Sequence, residues 1–374
     1  MENCYDFISW LGRDVSSTIL KFLEDPADLV RVSAVSRSWR QFVIEYGFCK
    51  KLCARLFPAV SRIIRVVEGN GIMDHIEIGS NNSKEWENLE RDHRVYGLLA
   101  RGLMSFIRRD CISEAISASS TDNYPEESIQ NTLEPNDRVD QRASYWSSKG
   151  ESNPAVSETL TYKLISKLCV ITEVSVQPFQ AFFQFGFPIY SATAVRFRMG
   201  HLNPPEAENV HMDRLREDQK PSGDQFVWTY VSPEFPMAQE NRLQKFKLPE
   251  PVLCIGGILQ IELMGRVQRQ EMDGLFYICV AHVQVVGRPL SPAFDVDILD
   301  LSGKCILKYY PEAKYCMSPA RSSECEPSTP AHLRTVRARL MQRGMRGWEQ
   351  MILNTLLGNV AVFADDDSDE EVID

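Results

Sequence analysis

From Thr161 to Leu290 apolar residues recur at every second position in run after run, and this alternation restricts the fold more than any other feature of the chain. Val195, Phe197 and Met199 alternate with Arg196 and Arg198. Leu259, Ile261 and Leu263 alternate with Gln260 and Glu262, and Trp228 and Tyr230 with Val227, Thr229 and Val231. A period of two is that of a strand whose two faces meet different surroundings. Phe276 to Val286 is a continuous apolar, β-rich run. Pro, Gly and Asn cluster between the runs, and no helical pattern separates them. That combination predicts an antiparallel sandwich or jelly roll.

The N-terminal part follows a different period. Val15, Ile19, Phe22 and Leu23 fall at i, i+4, i+7 and i+8, one face of a helix. Asp14 suits its start, and Glu24-Asp25-Pro26 ends it. Leu29, Val30, Val32 and Val35 form a second short helical piece. Ser36 is placed to cap a third, in which Trp39, Phe42, Val43 and Tyr46 recur at helical spacing. Isolated helices shorter than about 12–15 residues are unstable in water, so these three must pack on each other or on a partner. Residues 48–110 read as a helical extension, with Trp86, Leu89, His93, Tyr96, Leu99, Leu103 and Phe106 on one face. His93 in that setting reads as a packed histidine rather than a ligand. Residues 111–139 are rich in Ser, Asn and Glu and predict a flexible linker.

Leu11, Asp14-Val15, Ile19-Leu20, Leu23, Pro26, Asp28 to Val32, Val35, Arg37 and Trp39-Arg40 together resemble an F-box, expected over residues 7–47. Gly12 departs from the pattern, since the family usually carries Pro after the first Leu. The resemblance implies a three-helix unit that docks on a SKP-type adaptor and, through it, a cullin of a RING-type ubiquitin ligase. The adaptor-binding residues it implies are Leu11, Val15, Ile19, Leu20, Leu23, Leu29, Val30, Val32, Val35 and Trp39, with Leu29 and Trp39 as the largest anchors.

Residues 140–290 resemble a discoidin-like, galactose-binding-like jelly roll. The similarity lies in the stretch from Ala143 to Gly150 and in the closing strands from Val252 to Gln268 and from Gly274 to Leu290. It implies a binding rim in the loops at one end of the sandwich. Candidates are Tyr145, Trp146, Arg196, Arg198 and His201. The plainer reading of Tyr145 and Trp146 is an aromatic plug at the core edge, and of the two arginines a solvated strand face. The expected fold class is therefore multidomain α+β: a three-helix unit with a helical segment, an antiparallel β-sandwich and a C-terminal helix. The whole pattern resembles plant F-box proteins with a discoidin-like half. It implies a non-catalytic substrate receptor for an unknown protein substrate. The alternatives are a scaffold outside any ligase, or a glycan- or ligand-binding protein.

Little else in the chain points to chemistry of its own. There is no GxSxG, Walker loop, HExxH or Cys/His nucleophile pattern, so no catalytic residue and no cofactor is expected. Ten cysteines are scattered without a CxxC pair. Cys49 and Cys53 share a helix face but have no second pair at finger spacing, so no metal site is expected. Reduced thiols suggest a cytoplasmic and/or nuclear protein. No run suits a secretory leader or a membrane span. A net charge of −10 disfavours nucleic acid as a partner. Residues 331–357 read as an amphipathic helix with an arginine-rich face. Residues 364–374 read as an acidic disordered tail.

Overall fold

In the computed structural model, residues 7–69, 81–139, 142–203 and 225–313 are described. Four short helices open the chain: α1 (Phe7–Leu20), α2 (Pro26–Ser33), α3 (Arg37–Glu45) and α4 (Phe48–Leu56). The Asp25 side chain accepts from the Ala27 N–H at 2.8 Å, and Pro26 fills the first turn of α2, where its missing N–H is harmless. Ser36 caps α3 by accepting from the Trp39 N–H at 3.2 Å. Gly12 sits inside α1 at φ +74°, ψ 162°, a kink that a glycine accommodates and that proline, fixed near −65°, does not.

After β1 (Ile63–Glu68), the long helix α5 (Asn81–Met104) lies along the opening helices. Its Val95, Tyr96, Leu99 and Leu103 share one core with Phe42, Val43, Phe48, Cys49, Leu52 and Cys53. Cys53 Sγ donates to the Tyr96 carbonyl at 3.2 Å. Burial pushes the Cys49 thiol up to about 12, consistent with a packing role. His93 packs on this helix, and burial lowers its pKa. Phe106, expected on the same face, lies beyond the helix end and is 96% exposed.

The sandwich is built from β2 (Ile112–Ala118), β3 (Glu158–Leu164), β4 (Leu168–Gln180), β5 (Ala192–Leu202), β6 (Phe226–Val231), β7 (Gln244–Ile255), β8 (Ile258–Arg266) and β9 (Cys279–Pro289). One antiparallel sheet runs β6-β5-β8-β3-β2, and the other β7-β4-β9. Leu160, Tyr162, Val195, Phe197, Leu259 and Ile261 of the first sheet meet Val174, Val176, Phe246, Val283 and Val285 of the second. β10 (Phe294–Ile298) and β11 (Cys305–Tyr309) form a third, small sheet with β1, which pairs in parallel with β11.

The second sheet is buried on both faces near the N-terminal helices. Cys169, Ile171 and Cys254 point into the sandwich core, while Leu168, Val170, Leu253 and Ile255 join Leu290 in the core of the opening helices. That double burial explains why Leu168 to Ile171 and Val252 to Ile255 are unbroken apolar runs instead of alternating ones. The described helices and sheets pack into one compact unit.

The linker expected over 111–139 is corrected by this structure. β2 pairs antiparallel with β3 as an edge of the first sheet. Cys111, Ile129 and Thr132 are fully buried, and the Thr132 hydroxyl shares a 2.8 Å hydrogen bond with Tyr162 Oη. The polar side chains that suggested disorder have structural partners: Ser119 and Ser120 both donate to Glu158, and Asn131 donates to the carbonyls of Glu126 and Tyr145. The sandwich therefore begins well before residue 140. The amphipathic helix expected over 331–357 and the tail over 364–374 lie outside the described residues.

Candidate functional site

The ends of the sandwich strands define two poles. β4 starts beside the opening helices at Leu168 and finishes at Gln180, and the register of β7 and β9 against it fixes what gathers at each pole. The five residues expected at a binding rim do not come together. Tyr145 lies at the pole remote from the helices, stacked on Phe179 with ring centroids 3.9 Å apart, and its hydroxyl donates to Glu127 Oε1 at 2.6 Å. Trp146 is wholly buried and donates to the Ser120 carbonyl at 3.0 Å. Arg196 and Arg198 alternate with buried Val195, Phe197 and Met199 in mid-strand, and both bind Glu262 at 2.8 Å. His201 is buried at the near pole, its Nδ1 bonded to the Leu202 carbonyl at 2.8 Å. All five are framework in this structure.

The remote pole carries a feature that the rim residues did not mark. Between β4 and β5 the chain turns through Ala181 to Pro188 with Phe183, Phe185 and Phe187 exposed, Phe185 to 96%. The turn is tied down: Ala181 N–H donates to the Pro188 carbonyl at 2.9 Å, Phe187 N–H to Gln184 O at 3.1 Å, and Gln180 Nε2 to Phe187 O at 3.1 Å. Gly186 (φ +77°) and Phe187 (φ +50°) are both left-handed, a strained arrangement for phenylalanine that the surrounding bonds hold. Phe182 is covered by the Arg138 guanidinium, 3.6 Å from the ring centroid. The Tyr190 hydroxyl donates to Gln184 Oε1 at 2.6 Å, and its ring meets Tyr277 edge-on. Tyr277 in turn donates to Asp273 Oδ2 at 2.5 Å. Beneath this surface Glu127 is buried, and burial raises its pKa despite the hydrogen bond from Tyr145.

At the other pole, the residues proposed to meet an adaptor divide in two. Leu20 and Leu29 are interior, Leu29 being 1% exposed, and Leu23, Val32 and Trp39 pack half-buried against the same core. Leu11 is half-buried on α1. Val15, Ile19, Val30 and Val35 are exposed, together with Trp10 and Phe22. Leu29 thus builds the platform instead of anchoring a partner directly. Beside these helices an open cavity of about 260 Å³ has Leu20, Leu23, Leu29, Phe48 and Leu52 in its walls, with Lys21, Lys51 and Arg55 also lining it. Arg55 donates to the carbonyls of Leu23, at 2.8 Å, and Lys21, holding the turn that follows α1. Lys51 lies over the rings of Tyr46 and Phe48, and partial burial followed by the nearby Lys21 charge lowers its pKa.

The F-box-like family profile matches residues 13–55. An F-box protein of Arabidopsis thaliana is 54% identical over 310 residues, covering 81% of each chain. The chain belongs to the F-box protein family. The match takes in α4, so the F-box reaches beyond the boundary at residue 47 that the motif alone suggested. Among solved structures, this F-box protein is similar to a family 32 carbohydrate-binding module of Clostridium perfringens solved with galactose. That match is 13% identical, with TM-score 0.29, and covers 48% of this chain and 99% of that one. It is also similar to allantoicase of Saccharomyces cerevisiae, at 12% identity and TM-score 0.33, covering 52% of this chain and 53% of that one.

Two parts of the F-box protein's surface escaped the sequence motifs. Phe22 carried a usable signal, since it continues the Val15 and Ile19 face of α1. The aromatic turn also carried one: Phe182, Phe183, Phe185 and Phe187 crowd a stretch that Gly186 and Pro188 mark as a turn, even though Phe183, Phe185 and Phe187 keep the spacing of two that a strand face has.

Proposed function

We propose that this F-box protein is the substrate-receptor subunit of an SCF-type ubiquitin ligase. The exposed F-box face seats a SKP-type adaptor, and through it a cullin, while the remote pole of the sandwich recruits a protein substrate. One observation carries the adaptor half of the reading: Val15, Ile19, Phe22, Val30 and Val35 stay exposed on helices whose Leu20 and Leu29 are completely packed. Apolar side chains held outward on a finished core suit a partner that covers them, and such anchors dominate protein interfaces. The receptor transfers no group itself. It holds a substrate at a fixed distance from the associated subunits that do the chemistry. The seven cysteines in the described residues are unpaired and buried, which supports a reducing cytoplasmic or nuclear setting.

Co-expression of the full chain with a SKP-type adaptor tests the reading. Ile19→Asp with Val30→Asp places two charges on the exposed face without touching the core. Adaptor co-purification is expected to fall by at least about a hundredfold, as for loss of two anchors of about 1.4 kcal/mol each, with the melting temperature unchanged. Full retention of the adaptor by this folded variant overturns the assignment of the face.

A further inference from the structure

We propose that the turn after α5 docks on an anionic membrane surface, with Phe106 and Ile107 entering the acyl boundary and a group of arginines meeting the lipid headgroups. This goes beyond the receptor reading above and does not rest on it. α5 ends at Met104, and residues 105–108 belong to no helix or strand. Met104 is 38% exposed, Phe106 96% and Ile107 50%, while Leu99 and Leu103 beneath them are packed in the core. Arg101 lies three residues before Met104 on α5 and so shares its face. Arg108 and Arg109 follow Ile107 directly, and both are exposed. Arg109 pairs with Gly287 of β9, which brings it beside Arg288, and Arg288 reaches the Leu103 carbonyl. Burial, followed by the Arg108 charge, lowers the Arg288 pKa, so Arg108 belongs to the same group.

The charge of this patch is net positive. No ion pair among the described residues uses Arg101, Arg108 or Arg109. Asp110, the adjoining carboxylate, accepts from the main-chain N–H groups of Ile112 at 3.1 Å and Val285 at 3.3 Å, one negative charge beside four arginines. Across the sheet, Glu173 of β4 has Val286 opposite it on β9 and Lys247 opposite it on β7, an opposite-charge neighbour of its own. The net charge of −10 on the whole chain does not reverse this, because exposed charges more than about 8 Å away are largely screened at physiological ionic strength. The form of the patch selects a membrane over an acidic peptide. Phe106 is so exposed that no described residue walls it, and a peptide needs a groove. A fluid acyl layer takes a protruding apolar side chain without a matching pocket, and arginines at its base add attraction to anionic headgroups.

The test is co-sedimentation of the full-length chain with phosphatidylcholine vesicles, with and without about one third phosphatidylserine. Binding is expected to the phosphatidylserine vesicles, with little to phosphatidylcholine alone, and it should fall away at about 1 M salt, where the screening length is about 3 Å. Arg108→Gln with Arg109→Gln is expected to weaken partitioning roughly twentyfold, since each basic residue at an anionic surface contributes a factor of about five. Phe106→Ser with Ile107→Ser is expected to weaken it about tenfold or more, from lost apolar insertion. The substituted side chains are exposed, so both variants should melt like the parent chain. Leu299→Ser with Leu301→Ser removes two exposed apolar side chains beside β10 and is expected to leave partitioning within about twofold. Equal weakening by that variant overturns the proposal, because the attraction is then that of any exposed apolar residue. Equal binding to phosphatidylcholine alone, or none to phosphatidylserine vesicles, overturns it too. Fluorescein-labelled oligo-glutamate that binds through Phe106 and Ile107 while vesicles do not bind would assign the patch to an acidic protein segment instead.

Discussion

Arg288, near the end of β9, donates its guanidinium to the main-chain carbonyl of Leu103 in the last turn of α5. A sandwich residue thereby satisfies one of the open carbonyls at the end of the helix that backs the F-box. Burial lowers the Arg288 pKa, so the charge is held in a partly desolvated seam. The apolar seam around it, Leu168, Val170, Leu253, Ile255 and Leu290, belongs to the same core as Leu29 and Phe48. The adaptor face and the remote pole are thus ends of one packed body, which a receptor needs if it is to hold a substrate at a defined place.

Leu29→Ala tests the division of the F-box into platform and face. The side chain is 1% exposed, so truncation leaves a cavity and is expected to cost about 2–5 kcal/mol in folding stability. Thermal denaturation should show a fall in midpoint, with adaptor binding recovered on cooling. Ile19→Asp with Val30→Asp should show the reverse pattern, an unchanged midpoint and no binding. Loss of adaptor by Leu29→Ala at a temperature where its circular dichroism is that of the parent chain would make Leu29 a direct contact after all.

Arg266 and Glu158 form an ion pair with side chains 0% and 5% exposed. Arg266 also donates to Ser148 Oγ and to the carbonyls of Lys149, Phe276 and Val156, so it fastens several loops of the remote pole. Arg266→Met strands the Glu158 charge in the interior and is expected to cost about 3–5 kcal/mol. Arg266→Met with Glu158→Met should cost less than the sum of the single changes, because neither partner is left buried alone. Urea denaturation midpoints read this directly, and additivity of the two single changes would contradict it.

Glu127 gives stability a pH dependence of known sign. Burial is the largest influence on it and raises its folded pKa above that of the unfolded chain. Its contribution is therefore fully present below the unfolded pKa and is lost as pH rises through the folded value. Glu127→Gln keeps an acceptor for the Tyr145 hydroxyl without the buried charge. The variant should melt higher than the parent at pH 8, by about 2–4 °C for each kcal/mol regained, and the two should converge near pH 4. A variant that melts lower at pH 8 would show that the charged Glu127–Tyr145 bond outweighs its burial.

Much of the fold was legible because its signals are local. The caps Asp25 and Ser36, the helical faces around Ile19 and Phe42, and the alternation at Val195–Met199 each state a period or a terminus in adjacent residues. Residues 111–139 misled because Ser119, Ser120 and Asn131 find their partners far away in sequence or in the main chain, so a polar composition that resembles disorder is a folded edge. The motif marks the F-box residues as a group, but it cannot tell Leu29 from Val30 as inner and outer. That distinction depends on how α2 packs against α4 and α5. The rim residues failed for a similar reason. Arg196 and Arg198 share Glu262 across the sheet, and Tyr145 is stacked on Phe179, contacts set by strand register.

The most direct test of a two-ended receptor is quantitative affinity purification with mass spectrometry of three tagged full-length chains from one host: the parent, Ile19→Asp with Val30→Asp, and Phe185→Ser with Phe187→Ser. The parent should bring down a SKP-type adaptor, a cullin and a set of further proteins. The F-box-face variant should lose adaptor and cullin while keeping the further proteins. The aromatic-turn variant should do the opposite. A parent chain that captures no adaptor, or an aromatic-turn variant that keeps every further protein the parent captures, would contradict the account.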